Sequence, residues 1–181
     1  MLLAFLFCVA QSFVAHGASL AGVTLPDTAT VADQPLVLNG MGLREKYFID
    51  IYVGGLYLDG KSSDAVAALQ KDAPKRMVMQ FVYGRVTREQ MLKSFLEDFG
   101  KQPGVKAHQA NVDKMMAAVP DELLRGDQIV FEYAPGVGTT LVIKGKPAVT
   151  VPGVDFMRMA FGIWLGPTPP TAALKAGLLG Q

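Results

Sequence analysis

Cysteine is nearly absent from this chain. Of 181 residues only Cys8 carries a thiol, and it lies in an N-terminal apolar segment read below as a leader. The remainder therefore has no disulfide and no thiol nucleophile, and Phe5, Leu6 and Phe7 ahead of Cys8 do not make a lipoprotein cleavage site. Histidine is as scarce. With His16 in the same segment, His108 is the single histidine left, which excludes a zinc cluster and leaves a serine triad dependent on one residue, without a GxSxG turn to expose a nucleophile. An excess of one charge is also missing. Seventeen Lys and Arg stand against sixteen Asp and Glu, a net charge of +1, so no polybasic field exists to hold nucleic acid.

Charge of either sign is missing from the first seventeen residues, MLLAFLFCVAQSFVAHG. Their apolar run, residues 2–10, is shorter than the roughly 20 residues a spanning helix needs, and reads as a secretory signal. Ala15 and Gly17 are small residues suited to a cut before Ala18; Ser19 and Ala21 would support one before Gly22. The expectation is a leader over residues 1–17, ending as late as 21, and a single domain over 18–181. That domain would be periplasmic or secreted, with no stable membrane insertion once the leader is gone. Half the residues are hydrophobic and 18% charged, as one packed core requires.

Along the chain, two short β-prone runs end near Pro26 and Pro35. In LNGMGLREKYFIDIYVGGLYL, residues 38–58, Gly40 and Gly42 break the chain into a turn ahead of Arg44, and a strand with period-two alternation follows from Tyr47. Ser62 or Ser63 is placed to cap a short helix that Pro74 stops. A strand over 75–86 leads to Thr87, which with Gln90 fits a capping box for a helix ending at Gly100. A helix over roughly 106–118, a hairpin turning at residues 135–138, a short strand PAVTV and an apolar helix over 153–166 complete the pattern, and residues 171–180 form a terminal turn or fray. The order implies an α+β domain, an antiparallel sheet covered by helices on one face.

The block at 38–58, the junction VYGRVTREQMLKSF and the apolar helix before GPTPP together resemble the chalcone isomerase-like family, in its short bacterial branch. The resemblance covers most of the chain beyond the leader. It implies an open-faced β-sandwich with a ligand cleft between sheet and helices, a fold that serves both chalcone isomerases and fatty-acid-binding relatives, so function has to be argued from the site. The family's arginine falls on Arg44. The enzymes' threonine, tyrosine, asparagine and Ser/Thr fall on Tyr52, Val82, Glu89 and Ile163. Tyr83, one place beyond Val82, enters the cleft only where a bulge shifts the strand's register.

A guanidinium beside a buried strand needs an anion, a hydrogen-bond network or water. In one reading Arg44 pairs with Glu45, Asp50 or Glu132 on the surface. In the other, favoured by the resemblance, it anchors the acid group of an apolar ligand, with Tyr52, Tyr83, Phe161 and Trp164 as further ligand-binding residues and Phe48, Phe95, Met115 and Phe156 as cleft lining. The pair Gly54 and Gly55 marks a bulge or room for a helix or ligand tail. The expected function is an exported, non-catalytic binding protein for a fatty-acid-like or aromatic carboxylate, without cofactor or metal, any partner protein being unknown. The alternatives are an intramolecular lyase or isomerase of chalcone isomerase type using Arg44 and Tyr52, and a helper module for a partner protein.

Overall fold

The computed structural model describes residues 17–181; the expected leader lies outside the described residues except for Gly17. A seven-stranded, wholly antiparallel sheet carries the fold, in the order β11-β10-β9-β6-β5-β4-β3. Its strands are β3 (Thr28–Val31), β4 (Gln34–Lys46), β5 (Ile49–Leu58), β6 (Lys75–Phe81), β9 (Gln128–Ala134), β10 (Gly138–Ile143) and β11 (Lys146–Val151). Two small pairs flank it: β1 (Gly17–Leu20) with β2 (Val23–Pro26), and β7 (Arg85–Thr87) with β8 (Glu122–Leu124). A cut before Gly22 would remove β1 and leave β2 unpaired; a cut before Ala18 keeps the pair.

Strand alternation sorts β5 cleanly. Tyr52, Leu56 and Leu58 join the larger core beneath the helices, while Val53 and Tyr57 join a second, smaller core on the opposite face with Val23 and Leu25 of β2. The helices α1 (Ala65–Gln70), α2 (Arg88–Gly100), α3 (Gln109–Ala117), α4 (Val154–Leu165) and α5 (Ala172–Leu178) contribute to the larger core. Among the described residues no helix is long and apolar enough to cross a membrane. Thr87 and Gln90 close the capping box of α2, whereas α1 is capped by Asp64, whose Oδ1 accepts from the amides of Val66 and Ala67, and not by Ser62 or Ser63.

Two departures from the sequence reading shape the site. Gly40 and Gly42 do not make a turn: both lie inside the 13-residue β4. They give room to α5, which is seated on β4 with Leu174 and Leu178 fully buried; a Cβ at either glycine would collide with carbonyl oxygens of that helix. Gly54 faces Leu174 and Leu178, and Gly55 faces Leu25, so helix and strand occupy the room, not a ligand tail. The expected strand 75–86 is split, because the amides of Val82 and Tyr83 both donate to the carbonyl of Ile51, at 3.0 and 3.2 Å. Ile51 is itself an extra residue between the pairs Arg44–Tyr52 and Glu45–Asp50. The resulting bulge ends the regular ladder of β6 after Phe81 and bends the chain ahead of β7.

One buried cation makes stability pH-dependent. Lys75 is only 1% exposed; its Nζ donates to the Lys71 carbonyl (2.6 Å) and lies 5.5 Å from the Tyr133 ring centre. Burial lowers its pKa to about 8 against the pull of Asp72 and Asp59. The unfolded chain thus holds this proton more tightly, and stability is expected to rise with pH from about 8 towards 10. Above 10 the trend reverses, since burial and the bond to Asp72 raise Tyr133 to about 12 while its unfolded counterpart ionises. Urea denaturation across this range should show the rise, and Lys75→Met should abolish it.

Candidate functional site

The pairing of β4 with β5 sets Arg44 directly opposite Tyr52, so both side chains leave the sheet on the helix side. There they line a cavity of about 210 Å³ between the sheet and α2 and α4. Its deep wall is apolar: Met79 from β6, Met91 and Phe95 from α2, and Ile163 and Trp164 from α4, all buried. Lys46, Tyr83 and Gln90, more exposed, stand at its rim, with Ile51, Val86, Ser94 and Asp98 completing the lining.

Arg44 forms none of the ion pairs open to it in the sequence. Glu132 is taken by Arg76 at 2.8 Å, and the Arg44 guanidinium donates instead to two backbone carbonyls, Pro170 at 2.7 Å and Glu45 at 3.2 Å. Carbonyls orient a guanidinium without neutralising it. The acidic group in the lining, Asp98, is paired with Lys101 at 3.0 Å. The cavity thus contains a fixed, half-buried positive charge with donors left over.

Tyr52 is held as a hydrogen-bond donor. The Trp164 indole N–H donates to its hydroxyl oxygen at 3.0 Å, in a buried position. Burial pushes the Tyr52 pKa upward, outweighing the Trp164 bond and the nearby Arg44 charge, with Asp98 adding to the rise. The phenol keeps its proton and remains able to donate it in a hydrogen bond. Tyr52→Phe leaves the indole N–H without its acceptor and should destabilise the fold by about 1–3 kcal/mol in urea titrations.

Tyr83 lines the cavity because it continues the helix-side row of Met77, Met79 and Phe81; Val82, its neighbour, is buried in the opposite core with Val78. Trp164 lines it as well. Phe161 does not: it is fully buried among core side chains, its ring centre 6.5 Å from that of Trp164. Met115 and Phe156 are likewise core, and Phe48 stands fully exposed at a hairpin tip; of the expected lining only Phe95 joins Tyr52 and Trp164 there. His108 packs edge-on against Phe156, away from the cavity. Sequence reasoning missed the contribution of α2 beyond Phe95. Gln90, Met91, Ser94, Phe95 and Asp98 recur at helical spacing, a polar row beside an apolar one, and that was the available signal. Among the described residues no group of three or more His, Cys, Asp or Glu side chains could hold a metal ion.

A curled antiparallel sheet, a helix layer on one face and a cleft between them define a class of α+β proteins. The chain belongs to the chalcone isomerase-like family, whose model matches residues 17–180. In structure it is similar to the fatty-acid binding protein of Arabidopsis thaliana, with a TM-score of 0.75 over 92% of this chain and 100% of that one, at 17% identity. Shared fold is what that likeness establishes. No curated protein sequence matches the chain.

Proposed function

We propose that the protein binds an apolar carboxylate, fatty-acid-like or aromatic, without catalysis, after export to the periplasm or beyond the cell. The observation that carries this reading is Arg44: a guanidinium in an otherwise apolar cavity, oriented by carbonyls and left with its charge uncompensated. A carboxylate placed there would accept from Arg44 and from the Tyr52 hydroxyl, with Tyr83 at the rim, while its apolar part lies against Met91, Phe95 and Trp164. The Arabidopsis neighbour, a fatty-acid binding protein, supports the choice of ligand class. At about 210 Å³ the cavity is smaller than the roughly 300 Å³ at which drug-sized pockets begin. A compact acid is therefore favoured, or a longer one whose tail leaves through the mouth.

Native mass spectrometry of the purified protein should reveal a co-purifying acid, and calorimetric titration with aromatic and C8 to C18 acids, roughly the span from compact to long, should identify the preferred length. A protein that is empty and ignores the whole panel would sink this reading. Export is checked separately by the N-terminal mass of protein recovered outside the cytoplasm.

One observation favours a second reading. Tyr83 joins Arg44 and Tyr52, so three donors converge on one cavity, as stabilisation of a phenolate or enolate would need. Loss of a chalcone's absorbance, dependent on Arg44, would support an intramolecular lyase or isomerase.

A further inference from the structure

Four hairpins among the described residues turn through two residues, and in each both carry positive φ or pair a positive-φ residue with glycine: Ala21 and Gly22, Ala32 and Asp33, Tyr47 and Phe48, Lys144 and Gly145. Such turns favour Asn, Asp and Gly because a bulky side chain meets the backbone at positive φ. Three of the four use small residues, glycine or aspartate at one or both places. The β4–β5 turn instead holds two aromatics, at φ 53° and 65°, and both stand in solvent, Tyr47 at 84% and Phe48 at 100% exposure, with Ile49 following at 45%. Neither local geometry nor the core explains those side chains.

We infer that this tip docks the protein on the surface of a phospholipid bilayer, with the mouth of the cavity turned towards it. The inference rests on the apolar-ligand reading above, for which a bilayer is the natural reservoir. Position supports it: Arg44 and Lys46 at the base of the tip, and Tyr83 at the rim, all line the cavity. Shape supports a bilayer over a protein partner. Two aromatic side chains and one isoleucine on a convex two-residue turn bury far less than the roughly 800 Å² per side of a specific protein interface, whereas such a tip sinks readily among headgroups, where aromatic rings concentrate. Lys46, its Nζ 5.9 Å from the Tyr47 ring centre, has a long stem that lets its charge stay at headgroup level. Charge is balanced at the base, Arg44 and Lys46 against Glu45 and Asp50, so neutral lipid should suffice.

The test uses phosphatidylcholine vesicles. In Phe48→Trp the new indole should shift its emission to the blue on vesicle addition and be quenched by brominated acyl chains. The double variant Tyr47→Asn, Phe48→Gly, which gives the turn its preferred residues and should fold at least as well, should bind vesicles about tenfold more weakly or worse. An unmoved indole overturns the inference; so does a double variant that binds like the parent, or binding that appears only with phosphatidylglycerol. Acid titration in solution separates the two readings. The double variant should keep the parent's acid affinity, and docking that persists in a protein that binds no acid would leave this inference standing while the ligand reading falls.

Discussion

Arg44→Ala is expected to weaken carboxylate binding by about ten- to a hundredfold, the equivalent of the roughly 1.5–3 kcal/mol that a hydrogen bond to a charged group contributes. The loss should fall on the acid alone. A methyl ester of the same chain, burying the same apolar surface without an anionic head, should bind parent and variant alike. Arg44→Lys should be intermediate, since it keeps the charge but not the planar fork that reaches a carboxylate while donating to the Pro170 carbonyl. Stability should change little, because Arg44 is only half-buried and sits outside both cores. Binding should also fade below about pH 4, as the ligand's own carboxyl takes up a proton. Calorimetric titration reads the four binding effects and urea denaturation the stability; an Ala variant that loses ester and acid equally would make Arg44 a structural residue and leave the anion anchor without support.

Arg44 and Tyr52 were legible in the sequence because the family pattern names the arginine and the strand's period puts Tyr52 on the face it shares with Leu56 and Leu58; the irregularity between Arg44 and Glu45 lies just beyond the pair. Tyr83 was harder to place, since the resemblance puts the cleft position on Val82, whereas the strand's own alternation through Met77, Met79 and Phe81 leads to Tyr83. Phe161 was misplaced for a different reason. The helix α4 is buried on nearly every side, so its composition does not tell which residues meet the cavity and which only fill the core; Ile163 and Trp164 do the former, Phe156 and Phe161 the latter. The terminal segment reads as one turn of helix or a frayed end, yet α5 is anchored, with Leu174 and Leu178 fully buried. Where it meets β4 its partner is bare backbone at Gly40 and Gly42, and glycines inside a strand read as a turn.

That seat makes the second large prediction. Gly40→Ala and Gly42→Ala each place a methyl where carbonyl oxygens of α5 lie, among them those of Gly177 and Leu174, and backbone, unlike a flexible side-chain end, cannot step aside. Each should destabilise the protein by about 1–3 kcal/mol, and the pair by more, unless α5 lifts away as a unit. Hydrogen exchange distinguishes the two outcomes: a lifted helix would expose the amides of residues 174–180 while the central strands stay protected. Gly60→Ala is the control. Nothing lies within 4 Å of its added methyl and its φ is unexceptional, so the substitution should be neutral or slightly stabilising through the unfolded chain. The glycine variants should reach the site as well, because Pro170, whose carbonyl orients Arg44, lies two residues before α5, and Lys175 of that helix donates to the Gly166 carbonyl at 2.8 Å. Gly42→Ala is therefore expected to weaken acid binding from a position outside the cavity. A variant that keeps full stability would show that α5 rests loosely on β4, and that the two glycines owe their place to something other than its approach.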